Sequence, residues 1–418
     1  MPSPSTVTAQ PLRLGLKENA AQFLLLVVVN AFVGGLVGTE RVVLPVIAER
    51  SFGLASHTAI LSFLVSFGLV KACANLMAAR VSETIGRKRV LVAGWLFGLP
   101  VPLLIGFAPS WGWIVFANVL LGVNQGLCWS TTVIMKIDLV GPRRRGLAMG
   151  LNEASGYLAV SLAAFGAGAL APTLGLRLAP MWLGETLAVA GLVLSLLLVH
   201  ETLPFSRLET ALGSTQAGAP SFWHVFRNTS WGDRSLFAVC QAGLVNNLND
   251  GLAWGLLPLF FAANGLALSQ ISILSALYPA TWGITQFGTG ALSDVIGRKF
   301  LIASGMVIQG IAILLFVLGT GFSAWCAAAI SLGVGTAMVY PTLLAAIGDL
   351  TNPTWRATAV GVYRLWRDSG YAFGAILAGT IADQVGIRGA IAAVGVLTLF
   401  SGFIVAVMMR PRQPSAVQ

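Results

Sequence analysis

A ten-residue phrase is written twice in this chain. Gly290-Ala291-Leu292-Ser293-Asp294-Val295-Ile296-Gly297-Arg298-Lys299 answers Ala79-Arg80-Val81-Ser82-Glu83-Thr84-Ile85-Gly86-Arg87-Lys88, and the copies stand 211 residues apart in a chain of 418. Each copy is a charged turn between long apolar segments. Two further anchors keep nearly the same spacing. Arg145-Gly146-Leu147-Ala148-Met149-Gly150 matches Arg356-Ala357-Thr358-Ala359-Val360-Gly361 at 211, and Leu44-Pro45 answers Leu257-Pro258 at 213. A repeat at half-length means two related halves, a duplication that neither a receptor nor a membrane enzyme needs.

Composition decides the solvent. The chain is 56% hydrophobic and 10% charged, against roughly 25% charged in soluble domains. Its 48 glycines are spread through the apolar stretches, which suits close helix packing in lipid. A spanning helix needs about 20 mostly apolar residues. That rule gives twelve spans: 22–48, 57–80, 89–108, 112–135, 146–170, 180–200, 235–262, 269–292, 299–320, 324–348, 357–382 and 388–409. The fold class is therefore an all-α membrane protein, twelve transmembrane helices in two pseudo-symmetric six-helix bundles. The bundles occupy 1–200 and 235–418. The polar interval 201–234, with the run Gly213-Ser214-Thr215-Gln216-Ala217-Gly218-Ala219-Pro220, reads as a hinge loop between them. The first twenty residues lack the pattern of a cleaved signal peptide, so the first apolar segment is retained as a helix.

The net charge of +10 does not point to nucleic acid, because the basic residues lie in short loops and form no aromatic-interleaved face. The orientation rule accounts for them. With both termini cytoplasmic, 18 of the 25 Lys and Arg, Lys136 among them, lie on the cytoplasmic side. Arg50, Arg177 and Arg388 lie outside, and Arg41, Lys71, Arg364 and Arg367 lie within spans. Both copies of the repeated loop then face the cytoplasm, and the halves are parallel repeats about an axis along the membrane normal. Cys73, Cys128, Cys240 and Cys326 form no CxxC pair and read as core residues. His57, His200 and His224 lie near different helix ends and give no metal-binding pair one turn apart. No phosphate-cradling glycine loop followed by Lys-Ser or Lys-Thr is present, which argues against ATP as the energy source.

The pattern G-x-L-S-D-x-x-G-R-K, complete from Gly290 to Lys299 and altered at Ala79 and Glu83 in the first half, resembles the signature loop of the major facilitator superfamily. The likeness covers essentially the full length. Within the superfamily the chain is similar to bacterial drug/proton exporters, and its run Trp129 to Asp138 is similar to exporters associated with nickel resistance. It departs from the drug exporters at Asn118, which precedes Gly122 and Gly126 where they usually carry an arginine. It departs again at Ala163 to Gly168, where they usually carry a Gly-Pro pair. The resemblance implies a multi-pass, monomeric, cofactor-free protein of the bacterial inner (plasma) membrane, not an enzyme, that moves a small-molecule substrate by alternating access. It also implies a conformational latch at Glu83, Gly86, Arg87, Asp294, Gly297 and Arg298. Their chemistry suits one. Gly86 and Gly297 permit sharp turns, Arg87 and Arg298 offer rigid donor forks, and Glu83 and Asp294 supply negative charge for an arginine or a helix N-terminus.

Charges within spans are costly and seldom idle. Glu40 and Arg41 fall in the first span, Lys71 in the second, Glu153 in the fifth and Asp250 in the seventh, beside Asn246, Asn247 and Asn249. Arg364, Arg367 and Asp368 fall in the eleventh. Glu40 and Asp250 precede the matched Leu-Pro pairs, and an acidic group in that place is common in the proton-coupled exporters the chain resembles. Neighbours on a helix point about 100° apart, so a direct Glu40–Arg41 pair is poor geometry. Glu153 and Arg364 are counterparts at 211 residues and are expected to pair across a central cavity. An Arg364–Asp368 bridge, one turn apart, would leave Arg367 for an anionic group or for Glu40, Glu153 or Asp250. Trp129, Trp254, Trp282, Trp366 and Tyr278 could wall the cavity, while Tyr278-Pro279 and Tyr340-Pro341 mark kinks. Glu40, Arg41, Glu153, Asp250, Arg364, Arg367 and Asp368 are thus the candidate proton- and substrate-binding set. The expected function is export of a small organic solute in exchange for protons. Export of a divalent, nickel-like cation and proton-coupled uptake of an organic anion are the alternatives.

Overall fold

The computed structural model describes residues 13–140, 145–212, 220–352 and 355–410. The hinge run 213–219, the basic triplet's first two arginines at 143–144 and the extreme termini lie outside the described residues. Where an apolar stretch meets lipid, every backbone N–H and C=O must be satisfied within the segment, and the α-helix is the local solution. Twelve long helices follow among the described residues. They are α1 (Ala20–Phe52), α2 (Ser62–Ile85), α3 (Arg87–Phe107), α4 (Trp111–Val140), α5 (Arg145–Leu174), α6 (Leu178–Leu197), α7 (Arg234–Ala263), α8 (Leu268–Ile296), α9 (Arg298–Leu318), α10 (Phe322–Leu350), α11 (Arg356–Val385) and α12 (Ile387–Met408). Nine described helices are apolar enough to read as spans by hydropathy alone. The other three, α7, α8 and α11, have 30, 29 and 30 residues. Of these, α7 and α11 carry buried polar groups, including Asn246, Asn247, Asn249, Asp250, Arg367 and Asp368.

Helices α1 to α6 pack as one group and α7 to α12 as another. Two long seams join them, α5 along α8 and α2 along α11. Glycines let helices approach closely inside the first group. A Cβ on Gly34 would run into the backbone of Gly156, and one on Gly38 into that of Val160. Prolines break the ladder in place. Helix α1 is interrupted at Val42, and Pro45, which lacks an N–H, leaves the carbonyl of Arg41 without its helical donor. In α10, Pro341 likewise frees the carbonyl of Ala337, which accepts the Thr289 hydroxyl of α8 at 2.6 Å.

Both copies of the repeated turn have the backbone that the glycines foretell. Gly86 has φ +100° and ψ 152°, Gly297 φ +94° and ψ 141°, a region that costs other residues roughly 1–3 kcal/mol. The two sites differ in surroundings. A Cβ on Gly86 would stand 2.6 Å from a Glu201 carboxylate oxygen, whereas Gly297 has nothing within 4 Å. Glu201 is fixed there by the N–H groups of Arg87 (2.9 Å) and Lys88 (3.1 Å), which open α3 and lack helical partners of their own. Gly86→Ala should therefore lower the thermal midpoint of the detergent-purified protein more than Gly297→Ala, and equal shifts would contradict this account of the turn.

Lys136 corrects one expectation. It does not lie in a loop, because α4 continues to Val140. Its side chain is fully buried, and Nζ donates to the Leu26 carbonyl at 3.1 Å.

Away from the Gly86 and Gly297 turns the halves are shut. Asp383, near the end of α11, accepts Ser56 Oγ (2.8 Å), the backbone N–H of His57 (2.6 Å) and that of Thr58 (3.1 Å), and lies 3.0 Å from His57 Nδ1. Down the seams, Gly379 meets Thr58, Gly168 meets Ser272, Gly68 meets Tyr371 and Gly283 meets Leu158. Towards the other end contact thins. Among the described residues, the Cβ position of Gly361 has only Leu76 near it, at 3.6 Å, and that of Gly150 has no neighbour within 4 Å.

Candidate functional site

Midway along the seams a chain of hydrogen bonds crosses from one half to the other twice. Glu153 of α5 sits at its head. Its Oε1 accepts Trp129 Nε1 of α4 at 2.9 Å and Asn152 Nδ2 at 3.3 Å, and its Oε2 accepts the Tyr340 hydroxyl of α10 at 2.8 Å. Tyr340 in turn accepts Arg367 Nη1 of α11 at 2.6 Å. Arg367 donates through Nε and Nη2 to Asp368 Oδ1, at 2.9 and 2.6 Å. The second Asp368 oxygen accepts the amide of Asn75 on α2, which returns the chain to the first half. Ser130 of α4 closes it, donating to Asn75 Oδ1 at 2.6 Å. Glu153 and Arg367 are each 7% exposed, and Asp368 is fully buried.

The expected Glu153–Arg364 pair is not the one formed. Tyr340 and Trp129 hold Glu153, and Arg367 reaches it through Tyr340. Arg364 is partly exposed, and its Nε has no hydrogen-bond partner among the described residues. The expected Arg364–Asp368 bridge is replaced by Arg367–Asp368, because a long arginine side chain can fold back on the carboxylate beside it in sequence. Tyr340, read from the sequence only as a kink, and Asn75 were missed. A signal existed for the first: Trp129 and Tyr340 stand 211 residues apart, so two of the three donors to Glu153 come from matched positions.

Asp250 lies apart from this chain. It accepts the hydroxyls of Tyr278 and Tyr371, the latter at 3.2 Å, both from its own half. Glu40 is buried on α1, where Oε2 accepts Asn118 Nδ2 at 3.3 Å. Asn118, which departs from the exporter pattern, thus contacts the acidic group of the first helix. Arg41 Nη1 lies 3.6 Å from Glu40 Oε1, so the pair that the angle between helix neighbours argues against does form as an ion contact, though without a hydrogen bond among the described residues. Aromatic rings fill the space between. Tyr157 stacks on Trp282 at 3.5 Å and meets Trp129 and Tyr340 at 5.3 and 5.9 Å. Of the expected wall, Trp366 is placed elsewhere, bonded to Ser230 at 2.9 Å and against Trp231.

The repeated turn carries a second pair of matched contacts. Arg87 Nε lies 3.4 Å from Asp138 Oδ2 and Nη1 donates to Ser82 Oγ at 2.8 Å, while Thr202 Oγ1 donates to the same Asp138 oxygen at 2.9 Å. In the second half Arg298 Nε donates to Asp349 Oδ2 at 3.1 Å and Nη1 to Ser293. Ser82/Ser293, Arg87/Arg298 and Asp138/Asp349 all keep the 211-residue offset, so each arginine is bound to the end of α4 or α10 within its own half. Glu83 is exposed, and the side chain of Asp294 lies outside the described residues. No group of three or more His, Cys, Asp and Glu side chains gathers among the described residues.

Comparison with known proteins places this architecture. Over 136 residues, 32% of the chain, the sequence is 26% identical to the quinolone resistance protein NorA of Staphylococcus aureus, a match spanning 35% of that protein. Over 168 residues it is 28% identical to the human putative transporter SVOPL, covering 38% of this chain and 31% of that one. Likeness of fold extends much further. A bacterial homolog of the human lysosomal transporter Spinster, solved inward-facing and unoccupied, superposes with a TM-score of 0.76 at 15% identity, over 97% of this chain and all of the other. A POT family transporter superposes with a TM-score of 0.74 at 12% identity, over 92% and 95% of the two chains. The sequence model of the Major Facilitator Superfamily matches residues 23–247 and again 239–418, taking in both halves. The chain belongs to the Major Facilitator Superfamily and is a multi-pass membrane transporter, not an enzyme.

Proposed function

We propose that this transporter exports a small organic solute in exchange for protons, and that Glu153 carries the proton. The halves at 1–200 and 235–418 rock about the central chain, in the bacterial inner membrane, with the Gly86 and Gly297 turns on the cytoplasmic side. The observation that carries this reading is the double crossing between halves that begins at Glu153. An ionised carboxylate only accepts, and both oxygens of Glu153 face donors. A proton on Oε2 would turn Tyr340 from donor into acceptor and leave the tyrosine's own hydrogen without its acceptor. Trp129 has no acceptor to offer a proton on Oε1. Protonation therefore removes the charge from the crossing and weakens it, and deprotonation restores it. The matched arginine turns would hold each half rigid as it moves. The likeness to a quinolone resistance protein supports an organic solute and suggests a quinolone as first probe.

Tyr340→Phe tests the reading while leaving the carboxylate in place. In proteoliposomes carrying an imposed pH gradient, quinolone movement should fall roughly ten- to a hundredfold, the value of one hydrogen bond to a charged group. Movement at wild-type rates in this variant would remove the crossing from the coupling step.

The organic-anion alternative draws on one observation. Arg41 and Lys71 are buried cations without a hydrogen-bonded carboxylate among the described residues.

A further inference from the structure

We infer that Arg41 and Lys71 form a subsite for a carboxylate on an aromatic solute, a specificity assignment that rests on the transport reading above. Arg41 is 1% exposed, and its Nε, Nη1 and Nη2 all lack a hydrogen-bond partner among the described residues. Buried donors are nearly always mated, and an uncompensated buried charge costs several kcal/mol. Arg367, at similar depth, has Asp368 and Tyr340. Arg41 has only Glu40 Oε1 at 3.6 Å, an oxygen itself without a hydrogen bond.

The nearby carboxylates are engaged elsewhere. Asn118 takes the other oxygen of Glu40, and two tyrosines take Asp250. Lys71, 7% exposed, is a second buried cation with no hydrogen-bonded carboxylate among the described residues. Its Nζ lies 5.4 Å from the ring of Phe67, the same ring that Arg41 covers at 4.3 Å. Two buried cations on one ring repel each other, and an anion between them relieves both. Arg41 also faces Trp254 at 5.2 Å, Lys71 faces Tyr371 at 5.2 Å, and Trp254 and Tyr371 are stacked. Arg41 and Phe67 belong to the first half, Trp254 and Tyr371 to the second, so a solute seated here touches both. Beyond Trp254 a small cavity, lined also by Tyr278 and Ser275, has an unpartnered Ser275 hydroxyl. The surroundings are flat rings, and the matching solute body is aromatic.

The test is equilibrium binding to the full-length protein in nanodiscs, with 1-naphthylacetate, its neutral amide and the corresponding amine as probes. Wild type should prefer the carboxylate over the amide roughly ten- to a hundredfold, as expected of a charge-assisted hydrogen bond. Arg41→Gln should abolish that preference while leaving amide affinity in place. Arg41→Lys should keep part of it, and Lys71→Gln should reduce it. Wild-type binding that is absent, equal for the three probes or strongest for the amine overturns the subsite, as does a preference that survives Arg41→Gln. Glu153→Gln separates the two proposals. If that variant remains proton-coupled while Arg41→Gln loses carboxylate preference, the coupling reading falls and the subsite stands.

Discussion

Replacing Glu153 by Gln is expected to reduce proton-driven solute movement in proteoliposomes by about a hundredfold or more, with solute counterflow falling far less. The carboxylate accepts from both halves, and Gln can offer only one acceptor oxygen where two donors point. Its amide nitrogen would face either the Trp129 N–H or the Tyr340 hydroxyl. A misfit to a charge-assisted chain is worth roughly 1.5–3 kcal/mol, and the upper end of that range reaches the stated loss. Counterflow needs the halves to move but needs no net proton transfer, and so it discriminates uncoupling from collapse of the fold. Equal loss of both activities would assign Glu153 a purely structural part.

The second large effect is expected at the end of the molecule away from the Gly86 and Gly297 turns. Asp383 binds two backbone N–H groups and a serine hydroxyl across the seam between α2 and α11. Asn at 383 keeps one acceptor oxygen but turns an NH2 group towards donors. Losing one or two bonds to a charged acceptor should shift the balance between closed and open forms of this end by roughly ten- to a hundredfold. Spin labels at Ala55 and Gln384, both exposed, should report a second, longer distance in Asp383→Asn. A single unchanged distance would mean that the packed seams, not this clasp, hold this end shut.

The fold was legible because its strongest signals are one-dimensional. Apolar run length sets each span, and an offset of 211 residues sets the relation between halves. The glycines at 86 and 297 announced their turns because few other residues tolerate that backbone. The same offset joins Gly175 to Gly386, both with positive φ and each followed two residues later by an arginine, Arg177 and Arg388. The site was legible only in part. Sequence depth brought Glu153 and Arg364 to one level, but azimuth decides contact, and a helix places Arg364 and Arg367 about 60° apart. Tyr340 was hidden because a tyrosine before a proline reads as a kink, although its offset from Trp129 was available. Asp138 and Lys136 were hidden by length. A 30-residue helix outruns its apolar core, and its polar end is buried against Arg87, Thr202 and the Leu26 carbonyl.

The measurement closest to the central claim records proton and solute movement together. In proteoliposomes loaded with a pH indicator and no imposed gradient, a quinolone concentration step should drive protons in the opposite direction in wild type, and this response should vanish in Glu153→Gln. Solute flux of normal size with no proton movement, or the same proton movement in Glu153→Gln, would contradict a transporter whose two halves are coupled to protons through that carboxylate.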